Sequence, residues 1–409
     1  MKGYIENQLE NGLRVALLPT RSNVVYCGFA IHSGSRHDPE DLPGLAHFVE
    51  HTIFKGTERR HAWHIINRME LVGGELNAYT TKETTFVYTA APKKELRRSM
   101  ELLNDLIRHA SFPEVELEKE REVVKEEISL YRDTPSDLIF DHFEEKFFED
   151  YELSHPILGN EESLDRMSRE DCLEYVRKAF TPSRMLFFCM GQVTEQRFME
   201  LTTQLLGEPF EVAPTASSMA SPRATQFDLL QESDTHQAHV LIGGVAPTLA
   251  DLDRTEATLL LNLLAGPGMN SRLVVQLREH RGWVYSVESS LTTIPDIGWW
   301  QIYFGCDPLN AERALEQVLK ELKKLQEDPL TPTALRAWVK QIKGQATMST
   351  EQSESQFLAF GRQLLLKGCY HPLEEFFHRL DGVTTESLMR VAQSLFAKDN
   401  ISRLIYQGK

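Results

Sequence analysis

The hydrophobic positions of the chain alternate between two periods, and they run through that alternation twice. Leu13–Leu18 and Val24–Ile31 are short apolar runs with the content of strands, and Asn11-Gly12 ahead of them is a hairpin-turn signal. Residues 61–72 carry Ile65, Ile66, Met69 and Leu71 at helical spacing and stop at Gly73-Gly74. The stretch 75–90, rich in Thr, Tyr, Phe and Val, predicts two strands. Residues 94–109 predict an amphipathic helix on Leu96, Met100, Leu103, Leu106 and Ile107, and 114–132 a long charged one. Residues 133–205 read as helices and loops with a strand at Met185–Met190.

Residues 207–225 break the pattern. They are rich in Pro, Ser and Ala without periodicity, which is linker composition. Beyond them the order returns: Ala238–Val245 as a strand, Asp251–Leu264 as a helix, Val284–Thr292 and Trp299–Gly305 as strands, and 310–326 as an amphipathic helix. Ala91-Pro92 precedes the amphipathic helix of the first copy and Asp307-Pro308 that of the second, 216 residues later. The repeat predicts two homologous α+β domains, 1–206 and 226–409, joined by the linker 207–225.

The two copies part at one helix. In the first, residues 44–56 read Gly-Leu-Ala-His-Phe-Val-Glu-His-Thr-Ile-Phe-Lys-Gly, with His47, Glu50 and His51 in an H-x-x-E-H pattern. On a helix His47 and His51 share one face, one turn apart, where two imidazoles can hold one zinc ion. Glu50 flanks that face and reaches a water on the metal rather than the metal itself. Asp41 is placed as an N-cap, Pro43 suits a first turn and Gly56 a helix end. Chance gives such a pattern in about one chain of this kind in twenty or thirty, so a third ligand is required. Glu120 and Glu127, seven apart in the charged helix, lie on one side of it; either could complete the set with the other behind it, and Glu126 stays open as well. His61 and His64 lack a partnering carboxylate and read as surface histidines. The second copy's helix, Ala257–Ala265, has neither His nor Glu, so that domain is expected to serve architecture or substrate.

Composition narrows the classes. With 41% apolar and 25% charged residues in 409, the chain is globular, and no apolar run approaches the ~20 residues of a membrane span. The N-terminal stretch lacks an apolar signal region and is acidic where a transit peptide is Arg-rich, so a cytoplasmic location is expected. Five scattered cysteines without C-x-x-C argue against disulfides or thiolate-bound zinc. A net charge of −16 speaks against nucleic acid and permits attraction of basic peptides.

Taken together, the motifs resemble the inverzincin zinc peptidases, the group of pitrilysin, insulin-degrading enzyme and mitochondrial processing peptidase. The likeness covers nearly the whole chain. It rests on His47–His51, on Glu127 about 76 residues past the second histidine with Glu120 seven before it, and on Gly73-Gly74 followed by Asn77-Ala78-Tyr79-Thr80. Asp133-Thr-Pro, His155-Pro-Ile-Leu-Gly159, Gly266-Pro-Gly-Met-Asn-Ser-Arg-Leu273 and the pair Arg278 and Tyr285 extend it; Trp283 stands where a smaller aliphatic residue is commoner. The resemblance implies two domains, each a mixed, mostly antiparallel sheet packed by helices, together half of a clam-shaped peptidase. It implies one zinc ion per chain held by His47, His51 and Glu127, Glu50 as general base, Glu120 behind a ligand histidine, Asn77–Thr80 as a substrate-binding edge strand, and Arg278 and Tyr285 as donors to substrate carbonyls. It further implies a homodimer in which Arg278 and Tyr285 serve the partner's site. The expected activity is zinc-dependent endopeptidase action on peptides or unfolded segments; the alternative is a non-catalytic or partner-dependent subunit of a peptidase complex.

Overall fold

In the computed structural model, residues 3–210 and 221–408 are described; the core of the expected linker, 211–220, lies outside them. The apolar periods of the first copy become β1 (Ile5–Gln8), β2 (Arg14–Pro19), β3 (Val24–Ile31), α1 (Leu45–Thr52), α2 (Ala62–Glu70), β4 (Glu75–Thr80), β5 (Thr85–Pro92), α3 (Leu96–His109) and α4 (Glu114–Arg132). The helical stretch that follows resolves into α5 (Pro135–Phe147), α6 (Glu161–Arg166) and α7 (Arg169–Ala179), then β6 (Met185–Gly191) and α8 (Glu195–Leu206). The second copy supplies β7 (Asp228–Glu232), β8 (Ala238–Ala246), α9 (Arg254–Ala265), β9 (Val284–Thr293), β10 (Gly298–Cys306), α10 (Ala311–Glu327), α11 (Pro332–Thr350), α12 (Ser353–Lys367), α13 (Leu373–Asp381), α14 (Thr385–Leu395) and β11 (Ser402–Gln407).

These elements form two sheet-plus-helix units with mixed sheets. In the first unit the order is β1-β2-β6-β3-β5-β4, with only β2 and β6 parallel. Because side chains alternate across a strand, β2 sends Val15 and Leu17 to one face and Ala16 and Leu18 to the other, and both faces are apolar. Phe29, Phe187 and Cys189 meet α1, α3 and α8 on one side. On the other, Phe86, Phe188 and Leu186 meet Phe357, Phe360 and Leu364 of α12. Phe188 stacks on Phe357 with centroids 4.2 Å apart, and a Cβ at Gly361 would fall 2.4 Å from the Phe188 ring, so a glycine is what lets α12 come this close.

In the second unit the order is β7-β11-β8-β10-β9, with only β7 and β11 parallel. Val240, Ile242, Trp300 and Phe304 face α9, α10 and α14. Leu241, Trp299, Tyr303 and Leu404 face Ile139, Phe143 and Phe147 of α5, and the Trp299 indole donates to Glu144 at 3.0 Å. The units therefore differ from the division at 206 and 226 in one respect. Tyr131–Ser154 packs with the second sheet and Gln352–Tyr370 with the first, because each sheet has a second apolar face that its own half of the chain leaves uncovered. Among the described residues no helix is long and apolar enough to cross a membrane.

Candidate metal centre

The position of α1 is set from outside the helix. Asp41 is not its cap: it is exposed, and the helix begins at Leu45, with Gly44 at φ 93° in the cap position. That left-handed conformation favours glycine, and a Cβ there would also lie 2.7 Å from the Leu158 carbonyl oxygen. The free N–H groups of the first turn are taken by Asp38, whose buried carboxylate accepts from Gly44 at 2.7 Å and Ala46 at 2.8 Å. Pro43 falls in the turn before the helix, and a short 3-10 turn, Ile53–Lys55, carries the chain on to Gly56.

With α1 fixed in this way, the rings of His47 and His51 lie 4.5 Å apart, tilted by 60° to each other. The helix α4 presents Glu127 to both: its Oε2 lies 3.8 Å from His47 Nε2 and 3.4 Å from His51 Nε2. Ligand atoms around a tetrahedral zinc ion stand about 3.3 Å apart, so this trio has the donor set and nearly the spacing of a His2Glu site. Two turns earlier on α4, Glu120 sits behind His51, with Oε2 3.4 Å from Nδ1 and Oε1 2.5 Å from Lys55 Nζ. Glu126, between them in sequence, is exposed.

Burial, with the neighbouring His51, depresses His47 to about 4, so it stays a neutral donor, and its Nδ1 is buried without a hydrogen-bond partner among the described residues. The hydrogen bond to Glu127 raises His51, and the same bond holds Glu127 below the usual carboxylate range. Burial pushes Glu50 upward, opposed by His51 and by a hydrogen bond from the Thr80 side chain.

Thr80 ends β4, the edge strand against which α1 packs. Asn77, Ala78, Tyr79 and Thr80 pair on one side with Tyr88, Val87, Phe86 and Thr85 of β5. Their other side has no strand partner among the described residues. Tyr79 stacks flat on Phe86, with centroids 4.9 Å apart, and its hydroxyl accepts from Arg362. Arg278 and Tyr285 belong to the second unit. Arg278 lies in a π-helical turn, Val274–Glu279, with its guanidinium on Glu279 at 2.9 Å, and Tyr285, the second residue of β9, has 86% of its surface exposed. Trp283 between them is partly buried, with Arg281 and Arg313 over its ring at 5.2 and 5.5 Å.

His32, His37 and Glu83 form a second trio whose ligand atoms come together. Its surroundings suit no metal. Arg36 holds Glu83 in a close ion pair, His37 Nδ1 already accepts the Gly34 N–H at 3.2 Å, and burial plus the nearby Arg184 depress His37 to about 3. His61 and His64 remain ordinary helix-start residues with rings 6.2 Å apart. Sequence reasoning missed Lys55 and Asp38 as supports of the site. Lys55, one turn past His51, was within reach of a helical-face argument; the bond from Asp38 to α1 depends on a loop path that no local pattern encodes.

The model of a family described as Insulinase (Peptidase family M16) matches residues 14–161, and that of the Peptidase M16 inactive domain matches 166–342. The zinc protease YmxG of Bacillus subtilis is 31% identical over 398 residues, covering 97% of this chain and 96% of that protein. The beta subunit of the mitochondrial-processing peptidase of Bos taurus is 30% identical over 396 residues, covering 94% of this chain and 80% of that one. A protease from Helicobacter pylori superposes with a TM-score of 0.92 at 21% identity over the full length of both chains, a likeness of fold.

Proposed function

Because the chain belongs to peptidase family M16, we propose that it is a zinc-dependent endopeptidase acting on peptides and unfolded segments. The observation that carries this reading is the meeting of His47, His51 and Glu127 beside Glu50. One zinc ion per chain would be held by the three ligands; when bound, it supplies a Lewis acid that acidifies water and polarises a carbonyl. Glu120 fixes the His51 ring through Nδ1, and Lys55 fixes Glu120 in turn. Glu50, raised by burial, takes a proton from the attacking water and hands it to the leaving amine, while Thr80 holds its carboxylate in place. The open side of β4 receives the substrate as an added strand, so main-chain hydrogen bonds bind it and the sequence preference is broad.

The partly exposed Arg278 and the exposed Tyr285 suit donors to substrate carbonyls. We assign them to the site of a second copy in a homodimer, because this chain carries both halves of the machinery. The decisive test digests a mixed peptide library with the wild type, with Glu50→Gln and with a chelated sample, read by mass spectrometry. Cleavage by the wild type alone is expected, with Glu50→Gln retaining zinc and losing activity by about three orders of magnitude or more. Absence of cleavage by zinc-loaded wild type would instead assign the chain a binding or partner-dependent role.

A further inference from the structure

The second unit has a cleft at the place where the first has its metal ligands. Its helix α9 occupies the position of α1 in the repeat, and it packs against the edge strand β9 as α1 packs against β4. Between them lies a cleft of about 380 Å³, large enough for a small ligand or a short piece of peptide. One helix face lines it from Arg254 and Thr255 to Asn262, with Leu261, Leu291 and Phe376 as apolar wall.

Thr258 and Ser289 in this cleft donate to the Arg254 and Leu261 carbonyls, whereas three other polar groups are open. The Arg254 guanidinium is half-buried and makes no ion pair or hydrogen bond with the described residues. Burial and the neighbouring Arg379 guanidinium depress it; Arg379 itself is paired through Nη1 with Glu375 at 3.4 Å. Thr255 is 7% exposed, and its hydroxyl has no hydrogen-bond partner among the described residues. At the other end Asn262 donates its amide N–H to Gln345 at 2.9 Å but leaves its carbonyl oxygen buried and unpaired. An unpaired guanidinium and a hydroxyl ask for an oxyanion, and a lone buried acceptor asks for an N–H.

The spacing sets the length of the ligand. Thr255 and Asn262 are seven residues apart, about 10 Å along a helix, which is the span of about three residues of extended peptide. We propose that this cleft binds the C-terminal end of a peptide. Its free carboxylate meets Arg254 and Thr255, a main-chain N–H about three residues upstream meets Asn262, and an apolar side chain lies on Leu261, Leu291 and Phe376. The inference does not rest on the proteolytic reading, since none of these groups belongs to the metal centre.

The probe is the blocked tripeptide N-acetyl-Leu-Ala-Leu as the free acid, titrated calorimetrically into the full chain carrying Glu50→Gln, beside the same peptide as its C-terminal amide and beside inorganic phosphate. The acid is expected to bind one site at least about tenfold more tightly than the amide. Arg254→Gln should weaken the acid about tenfold or more, and Thr255→Val, which keeps the side-chain shape, about threefold to fivefold. Unfolding curves that match the parent establish that both variants fold. Equal binding of acid and amide overturns the proposal, as does binding that survives both substitutions, or phosphate that binds more tightly than the peptide and displaces it.

Discussion

Glu120 and Glu127 are the same residue on the same side of one helix, and their surroundings give them different work. Glu127 Oε2 lies 3.4 Å from the Nε2 of His51, the nitrogen proposed to bind the metal, whereas Glu120 Oε2 lies 3.4 Å from Nδ1 on the far side of the same ring. Glu127→Gln should therefore weaken zinc binding by more than a hundredfold, and Glu120→Gln by about ten- to a hundredfold, measured by competition with a chromogenic chelator. The opposite ranking would exchange their roles. At this scale the H-x-x-E-H spacing and the seven-residue step were legible in the sequence because both are helical periods. The choice among Glu120, Glu126 and Glu127 needed family resemblance, since helical periodicity alone does not say which turn of α4 lies against α1. The bond from Thr80 to Glu50 was hidden for a related reason: it joins a strand end to a helix across thirty residues of chain.

Among elements, β3 and α4 fall on the bounds that apolar and charge patterning predict. β7 had no such signal. Asp228–Glu232 is exposed throughout and is a strand only through its parallel pairing with β11, a partner more than 170 residues away. The turn ahead of α1 makes its own prediction. His37 is depressed to about 3 by burial, with Arg184, His32 and Arg36 adding to the effect and Glu83 opposing it. Its ordinary value is 6.5, so between the two pH values the unfolded chain binds the extra proton and stability falls as pH drops from 6.5 toward 3. The loss from this one group between pH 7 and pH 5 is about 2 kcal/mol. His37→Asn, whose side-chain oxygen can still accept the Gly34 N–H, should remove that part of the slope. Urea unfolding at the two pH values checks this; an unchanged slope would mean that His37 is not kept neutral in the fold.

For the whole molecule, the sequence repeat announced two related units, and both have the same sheet order at their core: an antiparallel ladder of β6-β3-β5-β4 in one and β11-β8-β10-β9 in the other. The assembly proposed for them is open to a complementation test. Glu50→Gln chains and Arg278→Ala chains, each inactive, should recover part of the activity when mixed, because one composite site in the mixed dimer would have both residues intact. Absence of recovery in a dimer verified to be mixed would place Arg278 and Glu50 in the service of the same chain.

The helices α5 and α12 make the two halves of this chain a poor pair of modules. Each was drawn from one half to close the sheet of the other, so a cut near residue 206 does not release a finished domain. A fragment ending there would keep His47, His51 and Glu127 yet leave Phe86, Phe188 and Leu186 facing water. Such a fragment should aggregate on size-exclusion chromatography, and a separate peptide of residues 352–370 should restore part of its solubility by reseating Phe357, Phe360 and Leu364. A soluble, monodisperse fragment without that peptide would contradict this. Gene fusions, tags inserted by domain boundary and shuffling between relatives must treat the chain as interlocked, with the half that carries His47, His51 and Glu127 dependent for its solubility on a segment about 150 residues beyond its apparent end.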